Sequence, residues 1–340
     1  MPTESAPNPG LVLGMFTAFQ QSAALLTAIR LDLFTAMADG ATTAAELAQK
    51  TGAATRGVEI LCDFLCVGGL LQKQGSRYAL SPTADVFLNT HSSASLAPAA
   101  AWHERMAADY SVERLSEAVC RGGASPGFGS PETWVCFARS MGVTALKPAA
   151  VMAETVAAPL LAGVAAPRVL DIAGGHGFYG IAVARQCTKA EVTILDAAPV
   201  LDVARANAQQ AGVAARYHTL AGNVLPGGEG EVALPTGIHL VLVTGFCHMF
   251  GPAMVESLFR KIRAALAQEG AVLVVEFLPN EDRVSPAIPA AFSLTMLAAT
   301  AEGRAYTEGD FRSMFAAAGF SRLERHNLGE MPLSALVARV

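Results

Sequence analysis

Two hydrophobic rhythms divide the chain. From Arg168 onward, short apolar runs alternate with longer amphipathic stretches. Arg168–Ile172, Glu191–Asp196, Ala215–Ala221, His239–Thr244 and Ala271–Leu278 read as strands, with helices predicted at Gly180–Cys187, Val200–Gly212 and Pro252–Glu269. Strand–helix alternation of this kind predicts an α/β domain built on a doubly wound, mostly parallel sheet with both faces covered. A further helix, Glu308–Gly319, precedes Arg322–Asn327 and Leu333–Val340, which are expected to pair antiparallel at the sheet edge.

The first half follows the helical period instead. Leu11–Ile29 is an apolar helix with few charges. Thr43 followed three positions later by Glu46 is a capping-box start. Two short helices, Ala45–Lys50 and Thr55–Val67, flank Thr51-Gly52, and Leu70–Gln74 with Arg77–Leu80 reads as a β-hairpin. Helix–turn–helix plus hairpin is a winged helix. Its presumed reading helix holds one basic residue, Arg56, and two acids, too little positive charge to meet phosphates. A packing module for a partner subunit is the simpler reading. Helices at Ala97–Met106, Ala107–Cys120, Phe137–Met141 and Val151–Leu161 are expected to bridge to the second half, interrupted by a Gly/Pro/Ser-rich loop at Arg121–Pro131. Two domains follow, residues 11–95 and 96–340.

Composition narrows the function classes. The 340 residues are 52% hydrophobic and 16% charged, enough for large cores, and the net charge of −5 disfavours nucleic acid and anionic membrane as partners. The six cysteines form no C-x-x-C pair; Cys62 and Cys66 read as a buried helix face, and no metal site is expected. A reducing, cytoplasmic setting fits. The first ten residues look like a loose polar tail, and no apolar run is judged to reach the roughly 18 uncharged residues of a membrane span.

The chemistry concentrates in VLDIAGGHGFYG, Val169 to Gly180. A buried strand, a glycine loop and a helix start bring backbone N–H groups close to a nucleotide-like ligand. Asp171, where strand meets loop, would face that ligand. Its charge repels a pyrophosphate and welcomes a cationic amino-acid head group, favouring S-adenosylmethionine over a nicotinamide dinucleotide. Asp196, about 20 positions on, suits ribose hydroxyls.

These runs resemble those of the large two-domain S-adenosylmethionine-dependent O-methyltransferases, such as the caffeate- and acetylserotonin-type enzymes and bacterial relatives. The resemblance spans nearly the whole chain. It implies a winged-helix dimerisation domain, a helical bridge and a Rossmann-like methyltransferase domain, working as a homodimer. The family's VDVGGGTG-like run is LDIAGGHG here, with Ala173 for the first glycine and His176 for threonine. By resemblance, Ala173, Gly174, Gly175 and Gly177 lie against the methionine portion and Asp196 on the ribose. The family's GDMF-like run, which flanks the adenine, is Gly222-Asn223-Val224-Leu225, and its lysine before the catalytic histidine is Thr244.

Methyl transfer requires a positioned, deprotonated nucleophile, and histidine suits a hydroxyl acceptor. His248 follows the predicted strand ending at Thr244. The family's CHDW is CHMF here, so Met249 replaces an Asp. The family's base-orienting Glu corresponds to Glu276, and a second family Glu to Ala305. Phe137 and Met141 match family positions that sandwich an aromatic acceptor, with Phe246, Met249, Phe250, Phe292 and Met296 adding to the wall. No basic cluster is in view, so a small, largely apolar, hydroxylated aromatic acceptor is expected. The losses at 249 and 305 keep open a C- or N-methyltransferase, or a non-methylating relative of the same fold. From another class, a winged-helix ligand-sensing regulator stays open too.

Overall fold

A computed structural model describes residues 8–125, 129–329 and 331–340. Most of the polar tail and the middle of the Arg121–Pro131 loop lie outside them. Two compact units meet in the chain between Glu104 and Arg105; the composition pattern had put the division at 95/96.

The first unit is helical with one hairpin. Its helices are Gly10–Arg30, Leu33–Ala38, Ala44–Thr51, Thr55–Val67 and Pro82–Phe87, and its hairpin pairs β1 (Leu71–Gln74) with β2 (Arg77–Leu80). The capping box forms as expected: Thr43 accepts from the Glu46 N–H, and Glu46 accepts from the Thr43 N–H. Leu33, Phe34, Leu47, Val58, Cys62 and Leu65 fill the core with Tyr78 from the hairpin. Asp63 on the presumed reading helix accepts from Lys73 Nζ at 2.6 Å and Tyr78 Oη at 2.7 Å, tying that helix to the wing. Gly10 is the first residue of a helix rather than part of a tail.

The long first helix corrects a second expectation. It is long and apolar enough to cross a membrane, by length and composition, because Gln20, Gln21 and Ser22 interrupt the apolar run without adding charge. Only 6% of its most apolar window is buried within the chain. Leu11, Met15, Phe16 and Phe19 lie exposed along it.

The second unit carries the seven-stranded sheet: β3 (Arg168–Ile172), β4 (Glu191–Asp196), β5 (Tyr217–Ala221), β6 (Ile238–Thr244), β7 (Leu266–Glu276), β8 (Arg322–Asn327) and β9 (Ser334–Arg339). Their order is β5-β4-β3-β6-β7-β9-β8. The first five are parallel; β9 enters antiparallel between β7 and β8. Apolar side chains alternate to the two faces, giving one core with Met152, Ile181 and Leu201 and another with Phe259, Phe311 and Phe315.

Two boundaries differ from those read locally. The helix from Pro252 stops at Ala265, not Glu269, because Leu266 pairs with Ile238 and continues as β7. Gly270 lets that strand approach closely, since a Cβ there would lie 2.7 Å from the Ile238 carbonyl oxygen. The predicted helices at Phe137–Met141 and Val151–Leu161 are one helical run. It comprises Pro131–Met152, a π turn at Ala153–Ala157 and Ala158–Leu161. The widened turn comes just before Pro159, which has no N–H to continue the regular ladder.

Candidate active site

The strand order reverses direction between β3 and β6, and the crevice at the carboxyl ends of such neighbours is where open α/β sheets bind ligands. Asp171 lies opposite Leu242 in that pair. The chain leaving β3 makes three left-handed residues, Ala173, Gly175 and Gly177, at φ of 50°, 56° and 78°. Only glycine tolerates this readily, and the turn aims backbone N–H groups into the crevice. A Cβ on Gly177 would come within 2.5 Å of Tyr217 Oη, and one on Gly174 within 2.7 Å of Asp171 Oδ2. Above Gly175 there is open space.

Asp171 itself does not stand open at the crevice, as the sequence had suggested. It is wholly buried beneath the loop, where Oδ2 accepts from the Gly180 N–H at 3.1 Å. Oδ1 has no partner among the described residues. Burial pushes its carboxyl up to about 7, opposed by the Gly180 bond and assisted by the charge of Asp196. Asp196 accepts from the Gly175 N–H at 2.9 Å and the Ala197 N–H at 2.7 Å. Its carboxyl is raised by burial, against the pull of those two bonds. The ribose candidate therefore also anchors the loop.

His176, in place of the family threonine, is buried and neutral, its pKa lowered to about 4 by desolvation. Its Nδ1 accepts from the Phe178 N–H at 3.1 Å, and its ring stacks on Phe178 with centroids 5.2 Å apart.

The adenine candidates divide. Val224 is buried beside Leu195 and Ile172 in one core. Asn223 turns its amide inward: Nδ2 donates to the Glu229 carbonyl at 3.1 Å, and Oδ1 accepts from the Leu225 N–H at 2.9 Å. It organises its own loop, leaving less of the amide for a ligand than its position suggests. Thr244 ends β6 half-buried at the crevice.

Glu276 closes β7 next to the loop that follows β6. It is 2% exposed and collects three contacts. Oε1 accepts from the N–H groups of Phe246 at 3.0 Å and His248 at 3.3 Å, and Oε2 meets His248 Nδ1 at 2.6 Å. An ionised carboxylate only accepts, so Nδ1 carries the hydrogen and Nε2 is left basic. Gly245, at φ 60°, makes the turn that brings these backbone groups round, and its N–H donates to the Val275 carbonyl.

An apolar wall surrounds the imidazole. The Phe292 ring lies 4.8 Å from it edge-on, and Phe277 lies 4.3 Å from Phe292. Phe246 and Phe250 meet at 4.9 Å, while Met249 is half-buried and Met296 buried. Phe137 and Met141, both half-buried, lie on the helix that crosses the glycine loop. At Gly142 a Cβ would be 2.7 Å from Phe178 Cε2 and 3.3 Å from His176 Cβ. Ala305 is buried at the position of the second family Glu, its N–H on Ser293 Oγ at 3.3 Å. Sequence reading missed Phe277, Gly142 and Gly303. A Cβ on Gly303 would strike the His248 carbonyl oxygen at 2.3 Å. A glycine inside a helix was the available signal for Gly142.

Comparison with known proteins gives the family of the chain. The O-methyltransferase dimerisation domain family matches residues 13–90, and the O-methyltransferase domain family matches residues 144–321. Mouse acetylserotonin O-methyltransferase is 30% identical over 335 residues, covering 90% of this chain and 82% of its own. The crystal structure of an O-methyltransferase candidate from Nostoc punctiforme superposes with a TM-score of 0.91 at 38% identity, covering 98% of this chain and 99% of that one. An O-methyltransferase from neocarzinostatin biosynthesis, solved with S-adenosylmethionine and 2-hydroxy-5-methyl naphthoic acid, shares the fold. Its TM-score is 0.74 at 20% identity, over 94% of this chain and 96% of that one. With both domain families in sequence and the glycine loop at the sheet's switch point, the chain belongs to the two-domain S-adenosylmethionine-dependent O-methyltransferases.

Proposed function

We propose that the protein methylates a hydroxyl on a small, largely apolar aromatic acceptor, with His248 as the general base. The observation that carries this reading is the 2.6 Å contact between His248 Nδ1 and a Glu276 carboxylate pinned by two backbone N–H groups. Such a carboxylate fixes the tautomer and raises the basicity of Nε2.

The residues present fit S-adenosylmethionine. A buried Asp171 Oδ1 without a partner and the open space above Gly175 suit a cationic amino-acid group over a left-handed glycine turn. Ala173, Gly174, Gly175 and Gly177 would hold that end. Asp196 would take the ribose hydroxyls, while Val224, Thr244 and part of Asn223 would border the base. When bound, the cofactor supplies an electrophilic methyl group on a positively charged sulfur. The chain's own residues do the rest. Phe137, Met141, Phe246, Met249, Phe292 and Met296 flank the acceptor ring and exclude water. His248 Nε2 removes the hydroxyl proton as the oxygen becomes nucleophilic, and Glu276 balances the imidazolium.

The dimerisation domain serves a second copy of the chain, with the apolar outer residues of Gly10–Arg30 as the contact surface. The test of the catalytic reading is His248→Gln. Cofactor binding by calorimetry should persist while methyl transfer to phenols falls about 10²–10⁴-fold. Unchanged turnover removes the base.

A further inference from the structure

After Gly222-Asn223-Val224-Leu225 the chain makes a loop that closes on itself. The Asn223 N–H donates to the Gly230 carbonyl at 3.0 Å, and the Val232 N–H donates to the Asn223 carbonyl at 2.9 Å. The Asn223 amide bonds only to Glu229 and Leu225 of the same loop. Gly228 leaves that amide its room, since a Cβ there would collide with Nδ2. Bonds internal to a loop set its shape, not its place over the sheet. At the entry, the Gly222 N–H donates to the Asp196 carbonyl at 3.1 Å.

A second anchor comes from the helix Pro252–Ala265. Leu258, Phe259 and Ile262 of that helix are fully buried in the core that also holds Val224. Lys261 comes three positions after Leu258, at the border of the buried face, and its side chain is 16% exposed. Its Nζ donates to the Val224 carbonyl at 3.1 Å and to Glu231 Oε1 at 2.6 Å. Glu231 Oε2 accepts in turn from the Gly227 N–H at 2.7 Å. The Lys261 ammonium, and then that N–H, hold the Glu231 carboxyl below its usual value. An ammonium drawn this far out of water is costly unless paired, and both of its partners belong to the one loop. It ties the start of the loop, at Val224, to its far side, at Glu231.

We propose that Lys261 is a positioning residue for S-adenosylmethionine, acting through the Val224 backbone rather than by contact with the cofactor. It holds Val224 at the depth where that residue borders the base. This rests on the assignment of Asn223 and Val224 to the base. A loop anchored only at its entry spends part of its time out of place, and apparent affinity falls in proportion to the share in place.

Calorimetry with S-adenosylhomocysteine on the full chain tests it. Lys261→Met keeps the stem and removes the charge and its donors. The dissociation constant should rise about ten-fold, as for a loop in place about a tenth of the time. Lys261→Arg should recover part of that loss, because a guanidinium also donates to a carbonyl and a carboxylate together. In turnover of a phenol, the loss should appear in KM for S-adenosylmethionine and not in kcat at saturating cofactor. Glu231→Gln should weaken binding in the same direction by a smaller factor, and it carries the test if circular dichroism shows Lys261→Met unfolded. Unchanged affinity in a folded Lys261→Met, or in Glu231→Gln where Lys261→Met does not fold, overturns the proposal. So does a loss confined to kcat. Val224→Ala separates the two readings. If it weakens binding while Lys261→Met does not, the tether alone is refuted. If it leaves binding unchanged, the loop does not border the base, and the tether falls with that assignment.

Discussion

Replacing Glu276 by Gln changes one atom of the site and reverses its logic. The carboxylate accepts three hydrogens, two from backbone N–H groups and one from His248 Nδ1. Glutamine has one acceptor oxygen. Left on the Phe246 and His248 N–H groups, at 3.0 and 3.3 Å, that oxygen preserves the loop. The amide NH₂ then faces Nδ1, which must become an acceptor, and the imidazole hydrogen moves to Nε2. The base is thereby switched off with little change in shape. The lost contact is a buried, charge-assisted bond, worth about 1.5–3 kcal/mol. The kinetic loss should approach that of removing a general base, about 10²–10⁴-fold. The assay is single-turnover transfer from labelled cofactor to a series of phenols of falling pKa. The defect should be full for an ordinary phenol and shrink toward zero for one already ionised at the assay pH, because no proton remains to be taken. Equal defects across the series refute the reasoning, as does a loss confined to cofactor affinity.

Other outcomes follow from the same contacts. Asp171 is raised in the fold from the usual carboxylate value to about 7, so the protonated form is favoured by folding. Its contribution is fully present below about pH 4 and is lost as pH rises through 7, an effect of a few kcal/mol. Asp171→Asn should flatten that slope in urea unfolding of the ligand-free protein while weakening S-adenosylmethionine binding in calorimetry; an unaltered slope contradicts the burial argument. Gly142→Ala drives a methyl against Phe178 and His176. Overpacking of about 1–3 kcal/mol should lower the melting temperature by several degrees and raise the acceptor KM. Phe16→Asp together with Phe19→Asp should convert a dimeric scattering profile to a monomeric one, since both side chains are exposed on the apolar helix; a native protein already monomeric rejects the second-copy reading.

Local chemistry was legible where it depends on neighbours in sequence. The capping box at Thr43 and Glu46, the strands at Arg168–Ile172 and Glu191–Asp196, and the edge strand at Arg322–Asn327 all form as their patterns predict. Legibility failed where a partner strand or a distant ring decides. Leu266–Glu269 has a helix-compatible composition and becomes strand because β6 offers backbone partners. The run at Gly10–Arg30 is long and apolar enough to cross a membrane by length and composition, although Gln20, Gln21 and Ser22 interrupt its apolar positions.

The sequence by itself determined the α/β alternation, the glycine turn and the presence of a histidine and three acids near strand ends, because period and turn chemistry are local properties. Only the tertiary structure decided what those groups do. It sealed Asp171 beneath the loop, turned the Asn223 amide into its own turn, and brought Glu276 onto His248 across neighbouring strands. It also brought Lys261 onto the Val224 carbonyl and Glu231. Charge, hydrogen bonding and desolvation act through a few ångströms of space, and strand pairing sets those distances whatever the separation along the chain.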